Sequence, residues 1–158
     1  MFIQKTTRKR KSITLAQFVR RRNGVPIGAP KSLQNMLSRS LGAKSFEVFW
    51  QYWNPIWGYY LSTKVYSPLT RFVSPVFAVV MTFAISGVLH DLAATLILRR
   101  PVFVCTPWFL LLGLGVVVGK KLQMDLSEYA WSIRATTNIS YLAACWLVVD
   151  GIQRLWLP

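Results

Sequence analysis

A chain of 158 residues that is 53% hydrophobic and 14% aromatic, with a mean hydropathy of +0.37, is too apolar for an ordinary soluble domain and points to a membrane protein. Its net charge of +14 is unevenly placed: eleven of the nineteen bases and none of the five acids fall in residues 1–44. Five scattered carboxylates, one histidine and two cysteines forty residues apart exclude paired-carboxylate glycoside chemistry and a tetrahedral metal site built from this chain alone, so no metal is expected.

The first predicted element is a short helix over residues 13–22, with Ser12 as N-cap, Arg20, Arg21 and Arg22 at the cation-favouring C-terminal end, and Asn23-Gly24 closing it. Pro26, Gly28 and Pro30 interrupt the chain, and Ser32 starts a second helix with Leu33, Met36, Leu37 and Leu41 on one side, as in an interfacial helix. The acid-free, arginine-rich start also fits a mitochondrial transit peptide, but no apolar run follows it as an export signal requires. It lacks the interleaved aromatics of a base-stacking surface, so nucleic acid is not an expected partner. Residues 1–44 are therefore read as a basic interfacial head that meets the lipid bilayer.

Residues 45–71 form an aromatic segment, with Phe46, Phe49, Trp50, Tyr52, Trp53, Trp57, Tyr59 and Tyr60 inside sixteen positions, a density that suits the headgroup level. Residues 72–158 are read as a transmembrane helical region. Residues 72–98 reach roughly 40 Å as a helix, with His90 and Asp91 as their ionisable members; Arg99, Arg100 and Pro101 make a turn; and residues 102–119 run apolar until Lys120 and Lys121. Residues 139–149, extending through Asp150 toward residue 157, are a third and shorter candidate that contains Asp150 and Arg154. The expected fold is thus all-α and multi-pass, with about three spans. The positive-inside rule keeps the N-terminus and the 120–134 loop in the cytoplasm and puts Arg99-Arg100 on the far side.

His90 is the single titratable base of the first span, where it is expected to be buried; an ionisable group there is costly and marks function by default, and a neutral imidazole takes a proton from a hydroxyl. Asp91 is a poor orienting partner, because helix neighbours at i and i+1 point in different directions. Ser86 shares the histidine's face, yet Ser86 and Gly87 read better as close-packing residues, as does Gly115-x-x-x-Gly119. Asn138-Ile139-Ser140 matches a glycosylation sequon, at a position the topology makes cytoplasmic or buried. Asn54 reads locally as a turn residue ending an aromatic helix.

Two motifs taken together change that weighting: Phe49-Trp50-x-x-Trp53-Asn54, and a few dozen residues later Ser86-Gly87-x-x-His90-Asp91 in an apolar helix. The pair resembles the membrane-bound O-acyltransferase family, especially its sterol, diacylglycerol and wax-ester branches, over residues 45–110. The resemblance implies that His90 matches the catalytic histidine and Asn54 a polar residue on the cytoplasmic side of a tunnel. It also implies that acyl-CoA is a co-substrate, with no bound cofactor, and that a hydroxyl compound accepts the acyl group. Family members have more spans than this length supplies, so a second polypeptide or self-association is expected to complete the tunnel. The competing class is a non-enzymatic membrane subunit whose head binds anionic lipid while its spans dock onto a larger partner.

Overall fold

The computed structural model describes residues 13–156, all of whose regular elements are helical. Ser12 and the Arg8–Lys11 bases lie outside the described residues. The first helix, α1 (Leu15–Asn23), starts two residues later than its basic pattern suggested, because Thr14 and Gln17 form a reciprocal capping box. Gly24 ends it at φ 82°, a left-handed turn that favours glycine. Lys31 leads into α2 (Ser32–Leu41), and Asn23 donates its side-chain amide to the Ser32 carbonyl and hydroxyl at 3.0 and 2.8 Å, tying the two basic helices together.

Ser45 caps α3 (Phe46–Tyr52), and Asn54 caps α4 (Pro55–Tyr60). That helix runs on through a π-helical segment, Leu61–Tyr66, and a single turn, α5 (Ser67–Leu69). Three long helices follow: α6 (Pro75–Leu98), α7 (Cys105–Lys121) and α8 (Trp131–Trp156). Pro75 at the first helical position and the Ser74 hydroxyl, accepting from Phe77 N–H, start α6 three residues inside the apolar run. Arg99 stops it in the left-handed conformation at φ 51°, and the chain reverses.

Helix α7 returns antiparallel to α6, with Gly113 against Phe83 and Gly87 against the backbone of Cys105 and Thr106. A Cβ on Gly87 would lie 2.7 Å from the Thr106 Cα, so the predicted small-residue packing at this position is what allows the α6–α7 contact. Helix α8 in turn lies antiparallel to α7: Tyr141 packs over Gly115, Trp108 donates to the Leu142 carbonyl at 3.2 Å, and Gln153 donates to the Phe103 carbonyl. The packing face of α7 is therefore Gly113 and Gly115; Gly119 meets only the tip of Met124.

Helix α6 is the one described helix both long and apolar enough to cross a membrane. Helix α7, at 17 residues, reaches only about 26 Å, and the 26-residue α8 is longer than its apolar run because its first turns hold Ser132, Arg134, Thr136, Thr137 and Asn138. Asp150 and Arg154 neutralise one another across one turn of α8 at 2.9 Å. All three long helices leave large apolar side chains exposed, among them Leu92, Leu96, Leu114 and Leu147, a surface that lipid covers more readily than water.

The head is packed onto this hairpin. Asn138, 2% exposed, donates to the Leu41 and Ala43 carbonyls at 2.9 and 3.1 Å, which puts the sequon asparagine in the interior. Trp131 donates to the Ser38 carbonyl at 3.0 Å, Lys44 pairs with Asp125 at 2.6 Å, and Lys120 pairs with Glu47 at 3.1 Å. The end of α2, the start of α3 and the α7–α8 loop thus share one end of the bundle, opposite Arg99 and Arg100.

Candidate functional site

The aromatic segment does more than sit at an interface. Phe46, Phe49, Trp50 and Trp53 recur at i, i+3, i+4 and i+7, and Phe49 is 1% exposed. Trp50 meets the Phe83 ring edge-on at 5.1 Å and the Phe109 ring at 6.1 Å, so α3 is stacked against both α6 and α7. The indole N–H of Trp50 is buried there with no acceptor among the described residues.

Between this aromatic wall and the α6–α7 hairpin lies an open-sided cavity of about 290 Å³. Helix α3 and the turn after it contribute Trp50, Trp53 and Asn54; the π-helical segment contributes Leu61, Ser62 and Tyr66; α6 contributes Thr82, Phe83, Ser86 and His90; α7 contributes Phe109. A π-helical turn is wider than an α-turn, is rare, and is frequently found at functional sites. Here it faces the cavity directly. Both residues singled out from the sequence, His90 and Asn54, therefore line one cavity although 36 positions separate them.

The His90 ring is held on three sides. Its Nδ1 lies 2.7 Å from the Ser86 carbonyl oxygen, one turn back in α6. A carbonyl only accepts, so Nδ1 carries a proton, and in the neutral ring the lone pair is on Nε2. The Phe109 ring lies against the imidazole at 4.9 Å and 32°, and the Trp57 ring meets it edge-on at 6.0 Å. Trp57 Nε1 donates to Ser86 Oγ at 3.0 Å, so the serine joins the aromatic wall to the histidine's helix. Contrary to expectation, His90 is exposed: α4 and α7 flank its ring, and no described element covers the side that remains open.

Asn54 keeps its local role and gains another. It sits in the left-handed region at φ 38°, ψ 70°, which asparagine tolerates better than most residues, and its Oδ1 accepts the Trp57 backbone N–H at 3.2 Å. Its Nδ2 donates to no described residue, so one amide N–H pair is available in the cavity wall.

Asp91 is the residue whose part the sequence did not disclose. It points away from the cavity and is 5% exposed, with Oδ1 accepting the Val104 and Cys105 N–H groups at 2.9 and 2.8 Å. Oδ2 accepts the Thr106 N–H at 2.8 Å and its hydroxyl at 2.6 Å. Nothing in the spacing along α6 alone reveals this, because the partners come from the next helix.

The family model of MBOAT, the membrane-bound O-acyltransferase family, matches residues 33–117, a stretch that takes in α2 to most of α7 and every element lining the cavity. The chain belongs to that family. The matched region starts twelve residues before, and ends seven residues after, the region the two motifs suggested. Membership suggests acyl transfer at a membrane as the activity class. No curated protein and no solved structure matches the chain.

Proposed function

We propose that this chain transfers an acyl group from acyl-CoA to a hydroxyl acceptor at the cavity shared by His90 and Asn54. The observation that supports it is the Nδ1 contact with the Ser86 carbonyl, which in the neutral ring makes Nε2 the basic nitrogen, on a residue lining that cavity. In the reaction the acceptor hydroxyl gives its proton to Nε2 as its oxygen attacks the thioester carbonyl carbon. The tetrahedral oxyanion accepts from Asn54 Nδ2. Its collapse breaks the C–S bond, and the imidazolium returns the proton to the departing CoA thiolate, giving an ester and free CoA.

The chain is an integral, multi-pass membrane protein with its N-terminus in the cytoplasm, residues 1–44 acting as the basic head. Exposed Arg20 and Arg21 at the end of α1 are available to lipid or CoA phosphates. The open side of the cavity at His90 is closed by lipid together with a further polypeptide or a second copy of the chain.

The deciding experiment measures transfer of label from palmitoyl-CoA into membrane lipids by the full chain in its native membrane, so that any partner is present. His90→Ala lowers transfer about 10²- to 10⁴-fold with the protein still inserted. Undiminished transfer by His90→Ala overturns the reading and leaves the chain as a non-enzymatic, lipid-binding subunit.

A further inference from the structure

Helix α7 begins without a cap of its own. Val104 at the N-cap position has no side-chain acceptor to offer, and the backbone N–H groups of Val104, Cys105 and Thr106 all point out of the helix start. Pro107, next in line, has no N–H at all. The open donors of this helix end are thus three, and Asp91 from α6 accepts all three and the Thr106 hydroxyl besides. A carboxylate supplies two oxygens, each with two lone pairs, and here each oxygen takes two donors. The charge also lies at the positive end of the α7 dipole.

The location of this junction relative to His90 gives it a consequence. Asp91 is the next residue of α6, so the ring and the fastening point leave the helix about 100° apart. Four residues beyond Cys105, one turn into α7, comes Phe109, whose ring lies 4.9 Å from the imidazole. Gly87, one turn below Asp91, lets the Thr106 backbone come close enough for the fastening to form.

We infer that Asp91 is a positioning residue of the site: by capping α7 from the neighbouring helix it fixes the start of α7, and so holds Phe109 against the His90 ring and sets the ring's orientation. Its catalytic consequence rests on the acyltransfer reading; its structural consequence does not. The adjacent His-Asp pair then works without contact between the two side chains. The histidine handles the proton, and the aspartate sets the helix that backs the histidine.

Because His90 is the single histidine of the chain, its ring protons are readable without ambiguity in the full-length protein, histidine-labelled and reconstituted in nanodiscs. An aromatic ring 4.9 Å away shifts those protons. Phe109→Leu removes that shift and provides the reference for a ring without its backing. Asp91→Asn keeps one accepting oxygen and loses the other, so the histidine signals move most of the way to the Phe109→Leu position; Thr106→Val, which removes only the hydroxyl donor, moves them part of the way. Turnover with palmitoyl-CoA falls about 10- to 100-fold in Asp91→Asn with KM for the donor unchanged, as expected when a reacting group is misplaced by about 1 Å. Thr106→Val gives the smaller loss, and a folded Asp91→Asn protein whose histidine signals and turnover stay at the wild-type values overturns the inference. So does a Phe109→Leu spectrum identical to wild type. If His90→Ala retains transfer while Asp91→Asn still moves the histidine signals, the acyltransfer reading falls and the positioning remains.

Discussion

Trp57 Nε1 donates to Ser86 Oγ at 3.0 Å, and the carbonyl of the same serine receives the His90 Nδ1–H at 2.7 Å. The side chain of Ser86 thus faces α4 while its backbone serves the catalytic candidate one turn on. Trp57→Phe retains an aromatic ring at the edge of His90 and removes the donor. The loss of one neutral hydrogen bond is worth about 0.5–1.5 kcal/mol, so turnover falls about two- to tenfold. Ser86→Ala removes the other partner, and the double variant is no slower than the slower single. Fully additive losses in that cycle show that the two side chains act separately.

Asn54 carries two roles that substitution separates. The Asn54→Asp variant preserves an accepting oxygen for the Trp57 N–H and suits both the left-handed backbone and the start of α4. The thermal midpoint is then unchanged, while loss of the Nδ2 donor lowers acyl transfer about 10²-fold. Asn54→Ala loses the cap, at about 0.5–2 kcal/mol, and places an alanine at φ 38°, so it lowers the midpoint as well. Wild-type turnover in Asn54→Asp reduces the residue to a helix cap.

The elements that a single segment specifies were legible in the sequence. Periodicity and punctuation give the first residue of α2, the bounds of α6 and α7 to within three residues, and the reversal at Arg99. The pairing of His90 with Asn54 was legible only through two motifs held together, since neither position has a local signal of catalysis. What was not legible depends on contacts between segments. The donors to Asp91 and part of the covering of Trp50 come from α7, and the exposure of His90 follows from the lack of a described element over its open side. The packing face of α3 was present in the spacing of Phe46, Phe49 and Trp50, which ring density over the whole segment did not single out.

The proposed topology has a direct test in the ion pairs Lys44–Asp125 and Glu47–Lys120, which gather the head and the α7–α8 loop at one end, with Arg99 and Arg100 at the other. In a background with Cys105→Ala and Cys145→Ala, a cysteine at Gln123 reacts with a membrane-impermeant maleimide from the cytoplasmic face, and one at Arg100 reacts from the opposite face. Labelling of both from the same face removes the α6–α7 hairpin as a membrane-crossing unit.

The Lys44–Asp125 pair also predicts a pH dependence. Hydrogen bonds from Lys44 and then Ser127 hold the Asp125 carboxyl at about 2, below its ordinary 3.8, and the same lysine bond raises Lys44 above its ordinary 10.5. For a depressed carboxyl the folded state favours the deprotonated form, so its contribution is complete above 3.8 and disappears as pH falls toward 2. For a raised ammonium the contribution is complete below 10.5 and disappears as pH climbs through the higher folded value. Asp125→Asn keeps an oxygen for the Ser127 N–H and removes the charge. The gap in thermal midpoint between wild type and Asp125→Asn is therefore flat from about pH 5 to 9 and closes toward pH 2. Both groups are exposed, so salt at about 1 M narrows the gap at neutral pH. A gap that widens as pH drops from about 4 to 2 contradicts the depressed carboxyl and, with it, the fastening of the α7–α8 loop to the start of α3 through this pair.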